Sequence, residues 1–260
     1  MKPAHSMPAQ IDLSKLSVRQ FAERFRSEMI PLSNTFSYFC ASVPMPEEDL
    51  KEYLQEPVAA LPPAIASALP KISILLVPYL ERADGAGRKT KTAAADYVSI
   101  EKPPEGRTSA WTQLRLGDEA VLAFALKDQE VAEYHYRFFH LLATLMGEHC
   151  TEEMEASYGR VLRDELSADA HGEVDEPSWR LKQSLRRSKH ARSGKAFRDY
   201  ERQSFIDTLT LYLHGICCDI DVETGPRQLP SRYLRKRLVA LEQMFPPPKG
   251  YAVFPEQLES

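Results

Sequence analysis

Apolar residues recur at helical spacing over most of the second half of the chain. The clearest stripe lies between Gln129 and His149, where apolar side chains return every three or four residues. Similar stripes predict helices from about Glu152 to Leu166, from about Ser193 toward Glu223 and from about Pro230 to Met244. Four long helices are therefore expected in this half.

The first half of the chain carries shorter signals. Ser17 is a good helix N-cap, and the spaced apolar residues after it predict a helix that Pro31 ends. Seven prolines then lie between Pro44 and Pro78, with helix-forming residues between them. Because proline suits the first turn of a helix and not its interior, this region is interpreted as short helices joined at prolines.

Alternation of polar and apolar residues, which is typical of strands, marks the middle of the chain. Tyr97–Ile100 and Trp111–Leu116 alternate in this way, and a loop rich in glycine and lysine precedes them. A loop and β insertion is therefore expected over residues 84–128. The expected fold class is mainly α: one multi-helix, bundle-like domain of 260 residues with a small antiparallel β insertion at about 96–126.

Composition narrows the class of protein. The chain is 43% hydrophobic and 27% charged, which excludes a disordered chain, a collagen and a coiled-coil rod. Its longest strongly apolar stretch, Ile72 to Leu80, is too short to span a bilayer, so no membrane partner is expected. The first 20 residues lack the apolar segment of a secretory signal, and the four cysteines form no CxxC pair. A cytoplasmic protein with reduced thiols is therefore expected.

The net charge of −4 hides two blocks of opposite sign. Residues 148–176 carry ten acidic and two basic side chains, a net charge of −8. Residues 177–198 carry eight basic side chains and no acidic one, a net charge of +8. The eight cations of this basic block are Arg180, Lys182, Arg186, Arg187, Lys189, Arg192, Lys195 and Arg198.

The basic block has two interpretations. Exposed lysines and arginines attract phosphate, so the block, extended by Arg235 and Lys236, predicts a surface for an acidic or phosphate-bearing partner: a protein, a nucleotide or a nucleic acid. This makes the chain a non-catalytic or regulatory binding protein without a cofactor, which is the function we expect. Alternatively, the consecutive acidic and basic blocks pack together and neutralise each other, which is the more frequent arrangement.

A metal-dependent enzyme is an alternative that comes from the longest predicted helix. His214 and Cys218 lie four residues apart and share one helix face, and imidazole and thiol groups are ligands for zinc or iron. A further ligand would come from a facing helix, where Glu133 and His140 are the candidates. The ordinary interpretation is that such histidines and thiols pack in an apolar core.

Three further interpretations rest on less specific features. His135 lies on an apolar stripe and is interpreted as a core histidine rather than a ligand, and a histidine near Phe138 and Phe139 leaves haem ligation as a weak possibility. A thiolate–imidazole pair of Cys217 or Cys218 with His214 would serve nucleophilic catalysis. The third is a structural subunit that assembles as a homo-oligomer through an apolar helix face. No HExxH, GxSxG, P-loop or GxGxxG motif occurs in the sequence.

Overall fold

A computed structural model describes residues 16–41, 45–82, 97–187, 194–218 and 229–254, together with Gln257. The chain divides into two compact units. Unit 1 comprises Met1–Met45 and Lys71–Gln129, and unit 2 comprises Pro46–Pro70 and Glu130–Ser260. The number of independently folding domains stays a prediction.

Unit 1 contains a five-stranded mixed sheet and a three-stranded antiparallel sheet. In chain order the strands are β1 (Ile30–Pro31), β2 (Phe36–Cys40), β3 (Lys71–Val77), β4 (Tyr79–Glu81), β5 (Tyr97–Ser99), β6 (Thr108–Ser109), β7 (Trp111–Leu116) and β8 (Glu119–Ala125). The larger sheet has the order β1-β2-β3-β8-β7, and the smaller has the order β5-β4-β6. In the larger sheet β3 pairs in parallel with β2 and β8, while β1 and β7 form antiparallel edges.

A short helix, α1 (Val18–Arg24), packs on the sheet of unit 1. Ser17 caps this helix, because its Oγ accepts a hydrogen bond from the Gln20 backbone N–H while the Gln20 side chain accepts one from the Ser17 N–H. Phe21 then lies in one apolar cluster with Leu75 of β3. The cap predicted at Ser17 therefore starts a helix that covers the sheet.

The predicted mainly α fold class, with a small β insertion, is wrong. The strands expected near residues 96–126 exist, but β5 and β6 pair with β4, and β7 joins the larger sheet through β8, which pairs with β3, so they are not a separate insertion. The strand pattern is absent from the sequence of β3, because this strand is buried from Ile72 to Val77 and its residues are almost all apolar instead of alternating. The structure is a mixture of helices and sheets. The loop predicted after Asp84 falls outside the described residues.

Unit 2 is helical in its described part. Its helices are α2 (Glu47–Leu50), α3 (Glu56–Ala59), α4 (Pro63–Ala68), α5 (Val131–Glu148), α6 (Glu152–Ser167), α7 (Glu176–Arg186), α8 (Gly194–Cys217) and α9 (Ser231–Met244). A π-helical turn, Lys51–Gln55, joins α2 to α3. The long helices α5, α6 and α9 match their predicted bounds closely. No helix in the described ranges is long and apolar enough to cross a membrane.

Helix α8 is the centre of unit 2, where α5, α6, α7 and α9 all contact it. Buried residues lie on most of its circumference, including the polar side chains of Ser204, Thr208 and Thr210. A helix surrounded by neighbours has no single apolar stripe, because it has no face that stays in water. The position of α8 therefore fixes where side chains from the other helices can meet.

A buried ionic network ties these helices together. Arg237 of α9 is fully buried, and its guanidinium donates to Glu165 Oε1 at 2.9 Å and to Glu173 Oε2 at 2.7 Å. Lys182 of α7 is also fully buried, with its Nζ 3.1 Å from Glu173 Oε1. Tyr200 of α8 donates its hydroxyl to Glu173. The two cations balance the two carboxylates, so the network carries no net charge into the interior.

Arg237→Ala should destabilise the protein by about 3–5 kcal/mol, because it leaves two buried carboxylates without their main cation. Urea unfolding followed by circular dichroism measures this loss. Arg160 is exposed on α6, so Arg160→Ala is the matched control and should change the free energy of unfolding by at most about 0.5 kcal/mol. Equal losses in the two variants would contradict the role given to the network.

Glu173 should make the stability of the protein sensitive to acid. Burial would raise the pKa of this carboxyl, but Arg237 and Lys182 outweigh burial and lower it from 4.5 to about 2. The stabilisation is complete above the ordinary pKa and is lost as the pH falls toward about 2. The free energy of unfolding, measured in urea between about pH 6 and pH 2, should therefore fall more steeply in the native protein than in Glu173→Gln. Parallel curves for the two proteins would show that Glu173 does not cause the loss.

Candidate functional site

The predicted basic block is partly neutralised by the acidic block before it. Arg180 pairs with Glu176 at 2.8 Å on α7, and Arg186 pairs with Asp169. Lys182 is fully buried in the ionic network, so it is not part of any surface. All three of these cations meet carboxylates of residues 148–176, which is the alternative arrangement considered for the two blocks.

The remaining cations of the predicted surface are exposed or lie outside the described residues. Lys189 and Arg192 belong to the second group. The exposed ones are Arg187, Lys195, Arg198, Arg235 and Lys236. Two of these also contact aromatic rings: the Arg235 guanidinium lies 4.3 Å from the ring centre of Phe254, and the Lys236 ammonium lies 5.9 Å from the ring centre of Tyr233. A partner surface at these positions stays a prediction.

The structure separates the residues of the predicted metal site. Glu133 pairs with Arg137 on the surface of α5 at 2.8 Å. His140 stacks on Tyr136, and its Nδ1 lies 3.4 Å from the Thr210 hydroxyl. Among the residues that the structure describes, the group of donors close enough to hold an ion includes Cys218 but not Glu133, His140 or His214.

A different set of donors comes together at the end of α8. His135 of α5, Cys217 and Cys218 each offer one ligand atom, and these three atoms lie within 4.8 Å of one another. Cys218 Sγ lies 3.2 Å from His135 Nδ1. His135 is buried and the two cysteines are half-buried. These three residues are called the Cys–His cluster below.

The packing of α5 against α8 creates this cluster. His135 belongs to the apolar stripe of α5, which turns it toward α8, and Cys217 is the last residue of that helix. The sequence predicts His135 to be a core histidine, and it predicts Glu133 and His140 as the ligands from this helix. One feature of the sequence points to this residue: His135 lies on the apolar stripe of its helix, which must pack against another helix. The sequence does not show which helix, because its partner Cys218 lies 83 residues away.

A backbone carbonyl fixes the orientation of the His135 ring. His135 Nε2 lies 2.9 Å from the carbonyl oxygen of Glu52, which can only accept, so Nε2–H is the donor. In the π-helical turn, each N–H bonds to the carbonyl five residues earlier, as the Glu56 N–H does to the Lys51 carbonyl. By this pattern, the N–H of residue 57 would bond to the Glu52 carbonyl. Residue 57 is a proline and has no N–H. His135 Nε2–H donates to the Glu52 carbonyl instead, which leaves the other ring nitrogen, Nδ1, facing Cys218.

The electrostatics of the cluster favour one thiolate. Hydrogen bonds from Cys217 and then from His135 and His214 lower the pKa of Cys218 far below its usual value, although burial opposes them. The pKa of Cys217 is raised by its hydrogen bond to Cys218 and by burial. Burial would lower the pKa of His135, but its bonds to Cys218 and to the Glu52 carbonyl raise it overall. Both shifts favour the pair of a Cys218 thiolate and a protonated His135 over the neutral pair.

The position of the cluster on α8 favours a bound cation. Cys217 and Cys218 lie at the carboxyl end of this helix, where the last carbonyl groups carry partial negative charge. This end of a helix disfavours an isolated thiolate and attracts positive charge. A metal cation at the cluster would interact favourably with both the helix end and the sulfur atoms.

The donor set fits zinc. Two sulfurs and one imidazole nitrogen are ligands that zinc prefers, and a tetrahedral zinc ion places such donors roughly 3.5–4 Å apart. The donors of the Cys–His cluster need only small movements from their present positions to reach that spacing. The bond from His135 to a carbonyl is also the kind of contact that orients histidine ligands in metal sites.

Comparisons with protein-family models, with curated proteins and with solved structures find no match to this chain.

In metal-free protein at neutral pH, iodoacetamide should alkylate Cys218 before Cys150. The thiolate is the reactive form, and burial raises the pKa of Cys150 to about 11 while that of Cys218 is lowered. We expect rates that differ by about tenfold or more, followed by peptide mass spectrometry. His135→Ala should slow alkylation of Cys218 and leave Cys150 unchanged. Similar rates at both cysteines would argue against a thiolate at Cys218.

Proposed function

We propose that this protein binds a thiolate-preferring transition metal, with zinc as the first candidate, at the Cys–His cluster. The observation that carries the proposal is the convergence of His135, Cys217 and Cys218 within 4.8 Å. The donors come from two packed helices, so the folded chain holds them near one another before any ion arrives. Such preorganisation reduces the cost of ordering the ligands on binding.

Charge balance supports a divalent ion at this position. Zn²⁺ with two thiolates and one neutral imidazole has no net charge, so the half-buried site would not carry an uncompensated ion. In the absence of metal the second thiol keeps its proton, because the neighbouring thiolate raises its pKa. Metal binding would release that proton and the one on His135, as expected for ligands that bind in their deprotonated forms.

The proposal keeps the metal-dependent alternative from the sequence and changes its ligands. Cys218 remains, Cys217 and His135 join it, and Glu133, His140 and His214 are not part of the group of three. The fold around the metal site also differs from the predicted helical bundle, because the chain contains two sheets besides its helices. The binding protein with a basic surface and the homo-oligomeric subunit stay predictions.

A nucleophilic thiol is the second candidate function. The observation in its favour is the 3.2 Å contact between Cys218 Sγ and His135 Nδ1, with the other ring nitrogen held by the Glu52 carbonyl. A thiol, an imidazole and a third group that orients the ring are the parts that cysteine nucleophiles use. The location of the sulfur at a helix carboxyl end weighs against this candidate, because that end does not stabilise a thiolate.

Zinc analysis separates the two candidates. After exposure to zinc and removal of free ions, the protein should retain about one zinc ion per chain by elemental analysis. Zinc at 100 times its Kd should also raise the free energy of unfolding by about 2.7 kcal/mol. Cys218→Ser and His135→Ala should each weaken zinc binding by more than about 100-fold, because each removes a ligand, so most of the stabilisation at this zinc concentration should be lost.

Matched controls are available on α5 and in the connection that follows it. Cys150→Ser and His140→Ala remove a thiol and an imidazole outside the cluster, so both should bind zinc as the native protein does. Failure of the native protein to retain zinc, or equal loss in the controls, would reject the metal site. Rapid alkylation of Cys218 in a protein that binds no zinc would instead favour the nucleophilic thiol.

A further inference from the structure

His214 is a fourth potential ligand beside the Cys–His cluster. It lies one helical turn before Cys218, and its ring nitrogens lie outside the group of donors that are within 4.8 Å of one another. The Cys218 N–H also bonds to the His214 carbonyl at 2.8 Å, so the helical geometry continues as far as Cys218. Side chains four residues apart on a helix lie on the same face with their Cβ atoms about 6 Å apart. One ion can therefore reach both side chains.

Cys218 occupies the centre of this group of donors. Its sulfur lies 3.2 Å from His135 Nδ1 and within 4.8 Å of the Cys217 sulfur, and His214 is one helical turn back along the chain. In a tetrahedral site every ligand atom is a neighbour of the other three. The sulfur of Cys218 already has two such neighbours, and a movement of the His214 ring would add the third.

The ring of His214 is close to the position that a ligand would need. Its centre lies 6.5 Å from that of His135, whereas two imidazoles on one tetrahedral zinc ion have centres roughly 5 Å apart. A ring movement of about 1–2 Å closes this difference, which a rotation about the side-chain bonds can supply. The aromatic rings of Tyr136 and Phe139 lie 6.2 and 6.0 Å from the His214 ring centre and limit its other movements.

We infer that His214 is the fourth ligand and that the metal centre is a closed Cys₂His₂ site. This inference rests on the metal binding proposed above and adds the coordination number. A site with four protein ligands leaves no position for water or substrate, whereas catalytic zinc sites keep one position open. The ion would then hold α5 and the end of α8 together and would report zinc availability through stability, without carrying out a reaction.

Cobalt substitution of the full-length protein tests this inference. Co²⁺ replaces zinc as the probe, and its visible and near-ultraviolet absorption reports thiolate ligation and coordination number. The native protein should show a four-coordinate thiolate spectrum that azide does not change, because no position is open. His214→Ala should still bind Co²⁺ through the other three ligands, but its spectrum should shift on addition of azide, which can enter the vacated position.

Zinc affinity provides the second measurement. Loss of a ligand should weaken binding by more than the roughly 10–100-fold expected for loss of a group that only orients a ligand. The control His140→Ala, which removes a histidine of α5 outside the cluster, should bind Co²⁺ and Zn²⁺ as the native protein does. His214→Gln, which keeps a polar side chain at this position, should behave like His214→Ala, and circular dichroism shows whether each variant is folded.

The outcomes separate this inference from the metal binding on which it rests. A native Co²⁺ spectrum that changes with azide means an open site and overturns the closed one, whatever the variants do. A His214→Ala spectrum identical to the native one overturns it as well. A native protein that binds neither Co²⁺ nor Zn²⁺ rejects the metal site itself, and the inference with it.

Discussion

The contact between α5 and α8 is the constraint on which the candidate site depends. His135 and Cys218 lie 83 residues apart in sequence, and only the packing of their two helices brings their side chains to 3.2 Å. A slip of one helical turn, about 5.4 Å, would remove the imidazole from the reach of both sulfurs. The chemistry of the site is therefore a property of helix register as much as of residue type.

The ionic network around Arg237 holds α8 at a second place. Besides its two carboxylates, Arg237 donates to Ser204 Oγ of α8 at 2.8 Å, about 15 Å along the helix from His214. Apolar surfaces tolerate small sliding movements, whereas directional bonds to a buried guanidinium favour one rotation and one height of the helix. A helix with polar contacts at one end and the Cys–His cluster at the other has its register defined over most of its length.

The sequence predicts the helices of unit 2 well and the sheets of unit 1 poorly, for one physical reason. Helices α5, α6 and α9 face water on one side, so their apolar residues repeat at helical spacing. Strand β3 is buried on both faces, so alternation disappears and proline-rich surroundings suggest helices instead. The same limit applies to the site. His135 and Lys182 are both buried by long-range packing, which local periodicity and charge cannot show.

The Glu52 carbonyl orients the ring of His135, and Pro57 leaves that carbonyl free to accept from the ring. The acceptor that orients His135 belongs to the backbone, and the side chain of Glu52 is exposed. Substitution at position 52 can thus alter the surface charge without touching the acceptor, while the identity of residue 57 decides whether that oxygen is available.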